Sequence, residues 1–143
     1  MPGIIKGLLA AWIGTMTLSA AAGLSAGTAS ADPIPAPPYV DHTAWAHWGD
    51  LSSLRVYPTA AGRDAAGQVH NAAQGDEAWT EVLAAAPDAD MPGMREQFMC
   101  HWTYAEFAEP GKTSWNLEPW RPVVDEDTMV GSGCNPGGTE EPF

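Results

Sequence analysis

His101, Lys112, Glu118 and Arg121 fall inside one stretch, CHWTYAEFAEPGKTSWNLEPWRP, which runs from Cys100 to Pro122. These types can do acid–base chemistry together. Histidine titrates near neutrality, so His101 suits a general acid or base. Glu118 could be its partner or second base. Arg121 and Lys112 could stabilise an anionic transition state. That set would serve a small, toxin-like hydrolase acting on nucleic acid or an envelope polymer. A Lys, Arg and His set could instead bind an anion such as phosphate or carboxylate. Each residue also has a purely structural reading. A histidine on an apolar helix face is commonly a core residue with hydrogen-bonded ring nitrogens. Glu118 and Arg121 could form a rim salt bridge worth about 0–1 kcal/mol. Lys112 could simply close a helix as a cation at its negative end.

The same stretch holds three of the six tryptophans beyond residue 31. Most tryptophans belong in a core, because each buries a large area. Trp115 and Trp120, with Asn116 and Arg121 beside them, could instead form an aromatic binding platform for sugars or peptides. Asn116 would otherwise pin irregular backbone. This gives a binding module as the favoured expectation and the hydrolase as the alternative. In a third reading the stretch only holds the fold, and the working surface lies near Arg55 and Arg63.

Other chemistry finds little footing. Asp41, His42 and His47 lie close together and His70 is isolated, but no HExxH, CxxC or clustered acidic pattern occurs. No metal and no cofactor are therefore implied. Serine-nucleophile and phosphate-loop motifs are absent, and Gly131-Ser132-Gly133 is only a loop before a cysteine.

Compartment comes from the start of the chain. Lys6 precedes an apolar run to about Leu24, and Ala29-Ser30-Ala31 gives an A-x-A end. That is the pattern of a secretory signal peptide cleaved near Ala31, rather than an anchor helix. Residues 1–31 are thus expected to leave, and the chain to be secreted with no remaining membrane span. The rest would hold 112 residues with a formal charge of −13, since Lys6 is the leader's sole ionisable side chain. Such acidity disfavours nucleic acid as a scaffold partner and an anionic membrane surface, and it keeps an exported chain soluble. An unidentified extracytoplasmic ligand or protein is the expected partner, and a monomer the expected state.

Two cysteines, Cys100 and Cys134, make an even pair in an exported chain and read as a disulfide. The loop of about 35 residues would contribute about 3–4 kcal/mol in a chain-entropy account. The rival reading, a Cys100 nucleophile served by His101, suffers because adjacent helical residues point about 100° apart.

The elements that must position these residues follow from pattern. Residues 32–42 open with four prolines in DPIPAPP and read as a stiff spacer. A globular domain is expected over 43–135, its folded chain beginning near Tyr39 or Thr43, and an irregular arm over 136–143. DHTAWAHWGD could be a strand or a helical turn. Leu54-Arg55-Val56-Tyr57 alternates like a strand. Thr59 could cap a short helix that Gly62 and Gly67 weaken. Asp76–Ala86 should be a helix capped by Asp76 and stopped by Pro87. Ala78, Trp79, Val82 and Ala86 share its inner face.

A second helix should run from Pro92 to Ala108. Met94, Phe98, His101 and Ala105 form one buried face, and Cys100, Tyr104 and Phe107 a second apolar stripe. Arg95, Glu96, Thr103 and Glu106 are left for water. Pro119 and Pro122 make the next segment an extended strap anchored by Trp115, Leu117 and Trp120. Asp125 could cap a last turn that returns Cys134 to Cys100. The expected fold is α+β: a small disulfide-linked domain with two main helices on a small β-sheet or ribbon and a Trp-rich strap.

The succession LRVYPTAAGR, a Trp-bearing helix, MPGMREQFMCHW, K-x-x-WNLEPWRP and CNPGG resembles a secreted actinobacterial family known as domain of unknown function 2599. The resemblance spans Trp48 to Gly138. It implies export and a single compact domain, and it brings no reaction or catalytic residue with it.

Overall fold

The computed structural model describes residues 33–138, together with Gly3. The expectations for residues 1–31 and 139–143 lie outside the described residues. Two strands come first, β1 (Val40–Trp48) and β2 (Leu51–Pro58), followed by α1 (Ala60–Ala66) and α2 (Ala72–Ala85). A 3-10 turn at Pro87–Ala89 leads to α3 (Met94–Ala108), β3 (Trp115–Leu117) and α4 (Glu126–Gly131). The fold is α+β, with a three-stranded antiparallel sheet in the order β1-β2-β3. Among the described residues no helix is long and apolar enough to cross a membrane.

DHTAWAHWGD is a strand, because Gly49-Asp50 closes a two-residue hairpin. Gly49 has φ +58°, the left-handed geometry that a glycine at the first turn position supplies at no steric cost. One sheet face carries Trp45, Leu54, Val56, Trp115 and Leu117 in register, and α2 and α3 pack over it. The core centres on Phe98 and Trp102 of α3. The Trp102 and Trp115 rings lie 6.0 Å apart and edge to face, and Tyr39 closes on Trp102 at 5.6 Å.

Tyr39 is buried although it falls in the stretch expected to be a spacer. The Glu81 carboxylate accepts hydrogen bonds from the Tyr39 and Val40 N–H groups at 2.8 and 2.7 Å. Thr59 caps α1 by accepting from the Gly62 N–H at 2.9 Å, and its hydroxyl donates to the Pro38 carbonyl at 2.8 Å. Folded backbone therefore begins before residue 43. Gly62 permits this crossing, since a Cβ there would sit 2.2 Å from the Tyr39 carbonyl oxygen. Gly62→Ala should cost roughly 1–3 kcal/mol by overpacking against rigid backbone. Gly131→Ala, with nothing within 4 Å of the added methyl, should be neutral or slightly stabilising. Urea titration of both variants compares the two.

Helix α2 starts at Ala72, four residues ahead of the expected Asp76 cap. The reason is tertiary. The Trp102 indole donates to the Asn71 carbonyl at 3.2 Å, and the Asn71 amide donates to the Ala65 and Ala66 carbonyls. Gly75 sits inside the helix because a Cβ would approach Met99 to 2.8 Å and Trp102 to 3.0 Å. The face of Ala78, Trp79, Val82 and Ala86 is buried as its spacing predicts. Glu106 of α3 is not left for water, since Arg63 bonds its carboxylate at 2.6 Å and only 13% of its side chain is exposed. Tyr104 and Phe107 stay exposed, so the second apolar stripe is covered only at Cys100.

Candidate functional site

The strap is one strand plus a corner. Trp115, Asn116 and Leu117 pair with Val56, Arg55 and Leu54 and are all buried. Trp115 is fully enclosed in the core, so it offers no platform. Trp120 is half-buried and donates its indole N–H to the Ser52 carbonyl at 3.1 Å, while the Arg121 guanidinium lies 4.6 Å above its ring. Asn116 accepts a hydrogen bond from the Ser114 hydroxyl at 2.7 Å.

Glu118 and Arg121 form a buried ion pair, not a rim pair. Arg121 Nε donates to Glu118 Oε2 at 2.6 Å, and the two side chains are 0% and 1% exposed. The Ser53 hydroxyl donates to the other carboxylate oxygen at 2.8 Å. Arg121 also donates to the Pro136 and Gly138 carbonyls, so the first residues expected in an irregular arm are held in place. Gln97 of α3 clamps Glu118 from behind: its amide donates to the Glu118 carbonyl and accepts from the Glu118 N–H, both at 2.9 Å. This pattern is what burial of two charges demands, each carrying several hydrogen bonds.

His101 is 4% exposed, and its Nδ1 lies 2.8 Å from the Gln97 carbonyl. A carbonyl only accepts, so Nδ1 carries the proton. Gln97 thus touches both His101 and Glu118. The Glu118 carboxylate itself is taken up by Ser53 and Arg121. His101 lines a concavity of about 240 Å³ with Tyr104, Glu109, Lys112 and Asn135. Lys112 Nζ lies 3.4 Å from Glu109 Oε2 across the end of α3, and the Lys112 N–H donates to the Glu109 carbonyl. The structure thus brings His101 near Lys112 and Glu118 near Arg121, with Gln97 between the two sets.

Cys100 and Cys134 form the expected disulfide, with Cα atoms 5.6 Å apart. They pack with Met129 in a small apolar cluster that ties α4 to α3. Asp125 caps α4 by accepting from the Thr128 N–H at 2.8 Å. Hydrogen bonds from the Thr128 side chain and backbone hold its carboxyl below the usual carboxylate range.

Between α3 and α4 runs a groove of about 310 Å³. Met99, Tyr104, Val124 and Met129 give it apolar walls, and Glu96, Asp125 and Glu126 line it with acid. Arg95, also in the lining, is paired with Asp76 at 2.5 Å. Neither the groove nor the clamp by Gln97 follows from motif spacing. Helical spacing makes Gln97 only a polar residue at the edge of the face of Met94, Phe98, His101 and Ala105, and the groove needs the position of α4. At the alternative surface around Arg55 and Arg63, Arg63 bonds the Glu106 carboxylate and the Lys112 carbonyl. Among the described residues no group of three or more His, Cys, Asp or Glu could hold a metal ion. His42 instead bonds Asp41 at 2.6 Å and stacks on Tyr57 at 4.1 Å.

Comparison with known proteins finds relatives of the chain by sequence. A family described as "Protein of unknown function (DUF2599)" matches residues 40–137. An uncharacterized protein of Mycobacterium tuberculosis is 61% identical over 111 residues, covering 78% of this chain and 74% of the relative. An uncharacterized protein of Mycobacterium bovis matches to the same extent. One from Mycobacterium leprae is 52% identical over 103 residues, covering 72% of this chain and 83% of its own length. No solved structure matches.

Proposed function

The chain belongs to the family of proteins of unknown function DUF2599, and from that premise we propose that it is an extracytoplasmic binding module whose ligand lies in the α3–α4 groove. The ligand is a cationic peptide segment with an apolar anchor. The observation that carries this reading is the groove itself, where two methionines meet three carboxylates. Methionine side chains are flexible and polarizable, which suits a surface that accepts varied apolar groups. The acidic lining and the strongly negative chain favour a basic partner by charge complementarity. The disulfide and the signal-like first 31 residues support a place outside the cytoplasm.

The binding reading moves off the strap tryptophans because Trp115 is core. The hydrolase reading has one observation in its favour, His101 lining a concavity with Lys112. It needs a second base, and the Glu118 carboxylate is occupied by Arg121 and Ser53.

Fluorescence anisotropy with a labelled Lys/Leu peptide and a Glu/Leu counterpart tests the proposal. The cationic peptide should bind, and more weakly as salt rises. Glu96→Lys with Glu126→Lys should weaken it about 2–30-fold, at roughly 0.2–1 kcal/mol for each of the two exposed pairs. Equal binding of both peptides, or none at millimolar concentration, overturns the reading.

A further inference from the structure

The sheet carries a second surface, independent of the groove. Among the described residues β1 pairs with β2 alone and is an edge of the sheet. It is nine residues long, and unpaired strand edges are templates for another strand. Proteins usually blunt such edges with proline or charged residues. Residues 42–48, HTAWAHW, contain no proline and no Asp, Glu, Lys or Arg. The blunting devices, the charged Asp41 and the irregularity between Val40 and His42, both sit at the far end from the hairpin.

The hairpin settles which backbone groups face outward. A two-residue turn is closed by a hydrogen-bonded pair, here Trp48 and Leu51. Alternation then gives His42, Ala44 and Ala46 to β2. Thr43, Trp45 and His47 send their N–H and C=O groups to the open edge.

We propose that this edge joins two copies of the chain, with the two β1 strands antiparallel about a two-fold axis at Ala44. In that register Thr43 of each copy meets Trp45 of the other as a hydrogen-bonded pair, using only outward-facing groups. His42 lies opposite Ala46, and Ala44 opposite itself. The small side chains at the centre leave room for close approach. Asp41 lies opposite His47, a donor–acceptor match made twice by the symmetry. The half-exposed Trp48 falls opposite Val40 at each end. The second copy is the occupant because the strand is complementary to itself when read backwards. The result is a six-stranded sheet, in place of the monomer that the sequence suggests.

Sedimentation equilibrium of the oxidised exported protein should show a concentration-dependent dimer. Thr43→Pro removes one outward N–H and leaves the ladder to β2 intact. It should raise the dimer dissociation constant at least about tenfold with unchanged near-ultraviolet circular dichroism. Should that variant misfold, Asp41→Lys gives the same readout at an exposed site: it should weaken the dimer, and adding His47→Asp should restore it. A wild-type chain that stays monomeric at millimolar concentration overturns the proposal, including by a foreign strand claiming the edge. So does a dimer that withstands both Thr43→Pro and Asp41→Lys.

Discussion

Arg121→Ala should destabilise the oxidised domain by about 3–5 kcal/mol, the typical loss when one member of a buried ion pair is removed. The mechanism is an orphaned charge. Glu118 is 1% exposed on its side chain and would keep only the Ser53 hydroxyl as a side-chain donor there. The Pro136 and Gly138 carbonyls would lose their guanidinium donor in the same step. Glu118→Gln should also be costly, since a neutral amide faces a buried cation. The double variant Glu118→Leu/Arg121→Met separates the explanations. Removing both leaves no buried charge uncompensated, and only the Ser53 hydroxyl and the Pro136 and Gly138 carbonyls lose a partner, so it should recover much of the loss. Urea midpoints of the three variants check this. A single variant within about 0.5 kcal/mol of wild type would mean that the pair behaves as an exposed one, against its burial.

The second large effect is at the disulfide. Replacing Cys100 and Cys134 together by alanine should cost roughly 2–5 kcal/mol, the usual range for a native disulfide in a small domain. Helix α4 has six residues and meets the body of the fold chiefly through Met129, Val124 and the two sulfurs. Short helices hold little intrinsic stability, so α4 should loosen before the sheet does. Hydrogen exchange reports the order: amides of α4 should exchange faster in the variant while those of β2 and α3 keep their protection. Loss of protection across all elements together would instead make the bridge part of a single cooperative unit.

What was legible in the sequence follows the range of the interaction. Thr59 and Asp125 act as caps because each bonds a backbone N–H three residues on, and such local chemistry needs no tertiary knowledge. The helix through Trp79 and Val82 and the buried face of α3 follow from spacing alone. The start of α2 does not, because it depends on an indole 31 residues away bonding Asn71. Strand β3 has three residues between a turn and a proline, too few for alternation to register, and it exists because β2 offers an edge. The Glu118–Arg121 pair was visible as a spacing of three, which reads alike at a rim and in an interior. Its burial comes from Gln97, Ser53 and the chain at 136–138 closing around it. The groove needed the position of α4, which only the completed bridge supplies.

The crossed indoles of Trp102 and Trp115, 6.0 Å apart at 86°, make the folded core its own optical gauge. Chromophores this close exchange excitation energy, and in a fixed chiral arrangement they give paired dichroic bands of opposite sign. One ring belongs to α3 and the other to β3, so the doublet exists only while helix and strand are docked. A collapsed state that keeps its helices but loses specific packing would keep the helical signal and lose the doublet. Light alone can then distinguish a variant that has loosened its core from one that has merely shed its last helix.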